Sequence, residues 1–278
     1  GPHLEAISSW GDMDYIAPAG SSNNVAGRRL GDVVQDAAEY FMWSQSQIAF
    51  NGDYAGGWNY GENDGAIDSS QVGWAAVALF SAEVNGGVAI PDWVKTRTYN
   101  GVAYNDNNRG GPPAGAYGYQ SSNDYPGSHP RSGAMLNALG FSLSRNRNDP
   151  RVTATVNFIG NNFDNRTAGD PWQGRHLDPG APATANYYGL YQITKGMRSF
   201  GEPIRLIGNN QIDWYARYSD FLIRTQNADG AWFNDDLWMG GVPLVHGLAL
   251  LIAIPTIFET PPVAVAEANP VLAGPGDY

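Results

Sequence analysis

Small and apolar residues are concentrated in four runs of the chain, where they recur at the spacing of a buried helix. The runs are "SSQVGWAAVALFSAE", "RSGAMLNALGFSLS", "TANYYGLYQITKGM" and "VPLVHGLALLIAI". They predict buried helices over 71–83, 131–144, 184–198 and 242–254. An irregular segment of about ten residues precedes each run. An aromatic residue stands before each of these segments: Trp58, Tyr117, Trp172 and Trp232.

A more polar helical pattern and a turn come before each of these aromatic anchors. The stretch "YSDFLIRTQNADGAWFND" (218–235) shows the order: an amphipathic run, a Gln, an Asn-Ala-Asp-Gly turn and then Trp232. Asn, Asp and Gly accept the left-handed conformation that ends a helix. The anchors recur about every 60 residues, so the sequence predicts four helix–turn–helix units. We expect each anchor to be buried between neighbouring units and the Gln to bind backbone groups at the turn.

The fragments "QNADGAW" and "SSQVGWAAVAL" resemble the QW-type repeat of squalene-hopene cyclases and their prenyltransferase-like relatives. The resemblance covers roughly residues 31–254 and is strongest in the first and fourth units. It implies an all-α fold, an α/α toroid whose inner and outer helices alternate around a central cavity. The resemblance implies a full ring of about six helix hairpins, of which the four units of this chain make only a part. Either the ring is open or residues 1–30 supply part of the remainder.

The chain therefore divides into an N-terminal segment (1–30) that is irregular or part of the first repeat, a toroid (31–256) and a short extended segment (257–278). The last segment lies within "ETPPVAVAEANPVLAGPGDY", part of which resembles the opening strand and turn of a PKD-type, immunoglobulin-like domain. Such modules imply a piece of a longer extracellular or cell-surface protein. A Pro-rich linker is the alternative interpretation.

Composition narrows the classes of partner. Aromatic residues make up 12% of the chain and charged residues only 15%, which is typical of an ordered globular protein. The net charge of -11, with no cluster of Lys and Arg, argues against nucleic acid as a partner. Pro243, His246 and Pro255 interrupt the longest apolar stretch, which predicts a buried helix and no transmembrane segment.

The chemistry of the resembled families is not expected here. Triterpene cyclases of the protonating type need an Asp-x-Asp-Asp acid motif, which the chain lacks. Protein prenyltransferases use a Cys at their zinc ion, and thioester domains need a Cys as well, but the chain has no Cys. Whether the protein is an enzyme of another kind stays open.

The candidate site lies in the loops between anchors and buried helices, which repeat geometry places at one mouth of the toroid. The candidate ligand-binding residues are Asp68, Tyr125, His129, Arg131, Arg175, Asn186, Tyr188 and Trp238. The candidate catalytic residues are His129, Arg131, His176 and Tyr187. His129 and Arg131 open the second buried helix, so we expect them to contact ligand as a pair, His129 titrating near neutral pH. The alternative is that these polar residues cap or pack helices.

Three functions fit these observations. The first is a module that binds a glycan or protein partner, or assembles as a homo-oligomer through open ring edges. The second is a carbohydrate-active enzyme: a lyase with a Tyr or His acid–base group, or a glycosidase with paired acids such as Asp64 and Asp68 or Asp235 and Asp236. The third is a degenerate cyclase-like protein that binds a terpenoid. No cofactor is expected, although "NDNNRGG" and "FNDD" carry oxygen ligands of the kind that Ca²⁺ prefers.

Overall fold

The computed structural model describes residues 1–22, 24–47, 56–124, 128–164, 177, 185–232 and 242–253. Over these residues the chain is mostly helical, as predicted, with one two-stranded antiparallel hairpin. The helices are α1 Pro2–Ser8, α2 Leu30–Ser44, α3 Ser69–Val84, α4 Asp92–Asn105, α5 His129–Ser142, α6 Pro150–Asn161, α7 Tyr187–Arg198, α8 Trp214–Thr225 and α9 Val242–Ala253. The strands are β1 Leu206–Ile207 and β2 Ile212–Asp213.

From α2 to α8 the helices alternate between weakly and strongly buried ones. All residues of α5 except Ser142 are buried, and α3 and α7 are nearly as inaccessible, whereas fewer than half of the residues of α4 are buried. The helices α1, α3, α5, α7 and α9 pack against one another in that order. The more exposed helices flank them: α2 packs on α3, α4 and α6 on α5, and α8 on α9. We call α3, α5, α7 and α9 the inner helices and α2, α4, α6 and α8 the outer helices.

Small residues bring the inner helices close together. A Cβ added at Gly73 of α3 would lie 2.7 Å from Cβ of Ala134 on α5. A Cβ added at Gly133 of α5 would lie 2.7 Å from the backbone N of Ile193 on α7. These contacts explain why the buried runs are rich in Gly and Ala: a larger side chain would force the helix axes apart.

The three described anchors are buried, and the two tryptophans among them make the same kind of hydrogen bond. The indole Nε1 of Trp58 donates to the carbonyl of Phe41 over 2.8 Å, and that of Trp232 donates to the carbonyl of Leu222 over 2.9 Å. Each acceptor stands four residues before the Gln that ends its outer helix. Tyr117 is also buried. The predicted burial of Trp58 and Trp232 is confirmed, whereas Trp172 lies outside the described residues.

The Gln of the turn binds backbone groups, as expected. Gln226 Nε2 donates to the carbonyl of Gly230 over 2.8 Å, within its own turn. Gln45 Nε2 lies 3.4 Å from the carbonyl of Gly56 and also reaches the next outer helix, at the carbonyl of Val94 (3.2 Å) and Oγ1 of Thr98 (3.1 Å). The first turn therefore ties the first unit to α4 of the second.

A glycine stands two residues before each described anchor, and in the first two units it brings the turn against the next outer helix. Gly56 and Gly115 both have positive φ angles and are buried. A Cβ at Gly56 would lie 1.7 Å from the carbonyl oxygen of Arg97 on α4, and one at Gly115 would lie 2.1 Å from that of Ala154 on α6. The same spacing before Trp232 is occupied by Gly230, which is only half-buried.

The N-terminal segment contains a helix that joins the inner layer. Helix α1 packs on α3 and α2, and Ser8 Oγ lies 2.5 Å from Oγ of Ser81 on α3. Glu5 reaches α7, where its carboxylate lies 2.5 Å from Nζ of Lys195 and accepts a 2.5 Å hydrogen bond from the hydroxyl of Tyr191. All three of these side chains are buried. Residues 1–30 are thus partly helical and cover surface of the inner helices.

The inner helices include none that could cross a membrane. Within the described residues, no helix combines the length and the apolar character that a bilayer span requires.

Replacing Trp58 with Ala should lower the free energy of unfolding by about 3–5 kcal/mol, since it removes a buried indole and its hydrogen bond. Trp43→Ala, at an exposed Trp of α2, should cost less than about 1 kcal/mol and serves as the control. Denaturant titrations followed by far-UV circular dichroism measure both. Equal midpoints for the two variants would show that Trp58 is not an anchor between units.

Gly115→Ala should destabilise the protein much more than Gly87→Ala. Both glycines have similar φ angles, +73° and +68°, so a Cβ adds backbone strain of about 1–2 kcal/mol at each. Space is open around Gly87, whereas Gly115 lies against α6. We expect Gly115→Ala to cost at least about 2 kcal/mol beyond the control, by overpacking. Similar losses in denaturant titrations would mean that the turn does not depend on close approach to α6.

Candidate functional site

Side chains from three units meet at the N-terminal ends of α3, α5 and α7. We call Asp68, Tyr119, Arg131 and Tyr188 the mouth cluster. The carboxylate of Asp68 is close enough to Tyr119 to raise the pKa of its hydroxyl, and the guanidinium carbon of Arg131 lies 5.6 Å from the centroid of the Tyr119 ring. The negative charge of Asp68 also acts on Tyr188. Three candidate residues, Asp68, Arg131 and Tyr188, therefore come together around a tyrosine that the sequence analysis did not select.

Backbone contacts hold this cluster in place. The backbone N–H of Ser69 donates to the carbonyl of Tyr119 over 2.9 Å, which fixes the loop of the second unit against the start of α3. Oδ1 of Asp68 accepts from the N–H groups of Ser70 (2.8 Å) and Gln71 (3.3 Å), so Asp68 is the N-cap of α3. A carboxylate at this position is stabilised by the free N–H groups and the dipole of the helix.

The tyrosine hydroxyls of the cluster stay protonated. Burial raises the pKa of Tyr119, and the neighbouring carboxylate of Asp68 raises it further. Burial also raises the pKa of Tyr188 well above its ordinary value, with an added contribution from the charge of Asp68. The pKa of Tyr187 is raised by burial as well. These hydroxyls can donate hydrogen bonds near neutral pH, but they are poor general bases.

His129 differs from expectation. Its side chain is only 2% exposed, and its ring lies 6.0 Å from the ring of Phe158 on α6. Burial lowers the pKa of His129 to about 4, against the opposing effect of hydrogen bonds with the backbone of Asn162 and Ile159. The prediction that His129 titrates near neutral pH was wrong, because the imidazole faces the outer layer and is sheltered from water.

Arg131 is buried too, at 2% exposure, beneath the ring of Tyr119. Both members of the predicted ligand-contacting pair, His129 and Arg131, are therefore buried, and ligand contact by the pair stays a prediction. The sequence placed both residues correctly at the start of α5 but could not show which way they turn. Only the packing of α5 against its neighbours decides that.

Two further candidates have structural contacts of their own. Oδ1 of Asn186 accepts from the backbone N–H of Gly189 over 2.7 Å, so Asn186 is the N-cap of α7. Tyr187 is buried, with its ring 6.1 Å from that of Phe221 on α8. The remaining candidates lie outside the described residues: Tyr125, Arg175, His176 and Trp238, together with the proposed acid pair Asp235 and Asp236.

The acid pair Asp64 and Asp68 has structural partners. Asp68 caps α3 and is buried. Oδ2 of Asp64 accepts a 3.0 Å hydrogen bond from Nδ2 of Asn59, and its Oδ1 accepts from the backbone N–H of Ala66. Both carboxylates therefore hold the polypeptide in place before the N-terminal end of α3.

An exposed group of aromatic residues lies beside the mouth cluster. We call Tyr40, Trp43 and Tyr60 the aromatic strip. Tyr60 is 74% exposed and close enough to Tyr119 and Tyr188 to influence their ionisation. The rings of Tyr40 and Trp43 lie 5.9 Å apart on α2, both more than half exposed. The hydroxyl of Tyr40 donates to Oε1 of Glu62 over 3.1 Å, which joins α2 to the loop that carries Tyr60.

The loop between Asn59 and Ala66 is well anchored. Besides the two contacts of Asp64, the backbone N–H of Asn63 donates to the carbonyl of Ser44, and Oδ1 of Asn63 accepts from the N–H of Gln47 over 2.8 Å. The aromatic strip is thus presented on a braced surface. The sequence feature that could have indicated this strip is the aromatic-rich run "YFMW" in α2. A high content of Trp and Tyr does not by itself show which face of the helix is exposed.

The segment "NDNNRGG" forms a turn held by an aspartate. Oδ1 of Asp106 accepts from the backbone N–H groups of Asn108 (2.9 Å) and Ala114 (3.1 Å). Within the described part of the chain, no three His, Asp or Glu side chains come together as a metal site would require. The Asp106 contacts are those expected of a turn-forming residue.

Comparison with known protein families finds no match, and neither does comparison with curated proteins. The relationship to cyclase-like and PKD-type proteins therefore stays a prediction from the quoted motifs.

His129→Gln should make the protein less sensitive to acid. Because the folded state holds the pKa of His129 at about 4, below the ordinary 6.5, the unfolded chain binds one proton more between these values. The stability contributed by the neutral His129 is complete above pH 6.5 and is lost as the pH falls towards 4. The loss is about 3 kcal/mol, and the Gln variant should not show it. Denaturant titrations at pH 7 and pH 4 measure the difference; parallel losses in both proteins would mean that His129 is protonated in the folded state.

Proposed function

We propose that the protein is a binding module for a neutral glycan, which it holds on the aromatic strip beside the mouth cluster. The observation that carries this proposal is the combination of three exposed aromatic rings with a braced acidic loop. Tyr40 and Trp43 form one surface on α2, and the exposed Tyr60 belongs to the loop whose Glu62 accepts the hydrogen bond from Tyr40. The faces of such rings cover the apolar faces of sugars, and exposed carboxylates accept hydrogen bonds from sugar hydroxyls.

A neutral ligand fits the electrostatics better than an acidic one. The chain carries a net charge of -11, and Glu62 and Asp64 stand on the exposed loop of the strip. The cation of the mouth cluster, Arg131, is buried under Tyr119 and does not reach this surface. A uronate carboxylate would meet like charges here, which favours hydroxyl-rich, uncharged sugars.

Binding is better supported than catalysis by the same residues. The raised pKa values of Tyr119 and Tyr188 make them weak bases, and His129 is neutral and buried. Asp68 is committed to capping α3. A lyase would need a base that loses its proton near neutral pH, and a glycosidase would need two carboxylates free to reach the substrate.

The proposal places this surface at one end of a partial α/α toroid in an extracellular protein. The order in which α1, α3, α5, α7 and α9 pack supports the toroid, and the PKD-like sequence of the C-terminal segment supports the location. Trp74 of α3 packs against Tyr188 and Tyr191 of α7, and Gly1 lies against it. These aromatic residues are engaged within the protein, which favours a ligand at the mouth over a terpenoid between the inner helices.

Tyr60→Ala and Trp43→Ala should each weaken glycan binding about five- to tenfold, the worth of one stacked ring, with the melting temperature unchanged. A panel of neutral and uronate-containing oligosaccharides, screened on an array and then titrated by calorimetry, measures this. Trp93→Ala is the matched control, since Trp93 is an exposed Trp of α4 that packs on Arg97 and not on the strip.

The outcomes separate the alternatives. Binding of neutral glycans that the strip variants weaken and Trp93→Ala leaves unchanged supports the proposal. Binding that none of the variants alters, a preference for uronates, or binding to no glycan of the panel contradicts it.

A further inference from the structure

The last inner helix has an apolar face that the described residues leave exposed. Helix α9 packs on α7 and α8. Its buried residues include Val245, Leu248, Ala249 and Ile252. Leu244, Leu250 and Leu251 are exposed, and space around Gly247 is open. Leu244, Gly247 and Leu251 follow the spacing of one helix face, and α9 contains no Asp, Glu, Lys or Arg.

This face is the next position in a series of packed helices. Among the helices described, α3 lies between α1 and α5, α5 between α3 and α7, and α7 between α5 and α9. Each of these three is buried over nearly its whole length. Helix α9 has the composition of this inner layer but a neighbour of the inner series on one side only, α7. Its outer side therefore continues the same kind of interface, and the occupant that fits it is another apolar helix.

The turn of the fourth unit is exposed at the same end of the repeat series. Gln45 is buried because it donates to α4 of the following unit, whereas the corresponding Gln226 is exposed and turns back to Gly230. Ile223 of α8 is exposed as well. Gln45 joins the first unit to its neighbour, whereas Gln226 makes no corresponding contact within the described part of the fourth unit.

The structure assigns this face to a second copy of the chain, with α9 packed on α9 about a two-fold axis. In such an interface the residues near the axis face their own copies, so any charged residue there would meet a like charge. The chain as a whole carries -11, which opposes association through most of its surface. The uncharged face of α9 meets the requirement, and pairing would remove the exposed leucines from water.

Sedimentation velocity of the full chain, from about 1 to 100 µM, tests the assignment. The mass should rise with concentration from the 29.9 kDa monomer towards the dimer. Leu244→Glu and Leu251→Glu should each raise the dissociation constant at least about tenfold, because each places two carboxylates near the axis. Leu206→Glu is the matched control: this leucine of β1 is 50% exposed, against 41% for Leu251, and it lies outside α9.

A cysteine cross-link provides a second measurement that does not depend on the glutamate variants staying folded. The chain has no Cys, so Gly247→Cys introduces a single thiol at the centre of the face. Mild oxidation should give a disulfide-linked dimer with Gly247→Cys and little with Leu206→Cys. A wild-type chain that stays monomeric throughout the range, a dimer that survives both glutamate changes, or equal cross-linking of the two Cys variants overturns the proposal. A monomer would mean that another protein or another segment covers α9.

Discussion

The close approach of one helical unit to the next is the constraint on which the structure depends. Gly73 and Gly133 let α3, α5 and α7 pack at a distance that a Cβ would prevent. Gly56 and Gly115 do the same for the turns, which lie against the carbonyl oxygens of the following outer helices. A helix pair with such small side chains buries little surface by itself, so its stability comes from its neighbours.

The anchors and glutamines then fix the register of the units. The indoles of Trp58 and Trp232 both bind the carbonyl four residues before the Gln that caps their outer helix. Because a Trp side chain combines a large apolar area with one directed donor, it sets both the spacing and the rotation of the turn. The loops that follow Trp58 and Tyr117 lead to the N-terminal ends of α3 and α5, and they meet where the backbone N–H of Ser69 donates to the carbonyl of Tyr119. The mouth cluster is a consequence of this repetition.

The N-terminal helix is held by a different kind of interaction. Glu5 of α1 is buried between Lys195 and Tyr191 of α7. Burial lowers the pKa of Lys195, and the neighbouring carboxylate opposes that shift. A buried ion pair contributes little net stability compared with apolar packing, but losing one partner leaves a buried charge without compensation. The pair therefore specifies where α1 lies on the inner helices more than it strengthens the fold.

Repetition also explains how much the sequence could predict. The periodic runs located α3, α5, α7 and α9, and the Trp spacing identified buried anchors, since both signals are averaged over several residues and units. The same spacing brought Asp68, Arg131 and Tyr188 together. The spacing could not predict the direction of individual side chains. His129 turns to Phe158 of α6, and Tyr119 comes from a loop without a periodic pattern. The exposed side of α2, with Tyr40 and Trp43, depends on which face packs on α3, and only the tertiary contacts fix that.

The two proposed surfaces could be occupied at the same time, because they lie in different parts of the chain. The aromatic strip belongs to α2 and the loop of the first unit, whereas the uncharged face belongs to α9 of the fourth. Pairing through α9 would leave the strip of each copy free. A few stacked rings give modest affinity for a single neutral glycan, since each ring contributes only about 1 kcal/mol. Two strips on one dimer can engage neighbouring chains of a polymeric glycan, and the second contact then forms at a high effective concentration. Self-association through an uncharged edge would in this way compensate for a binding surface that is weak by itself.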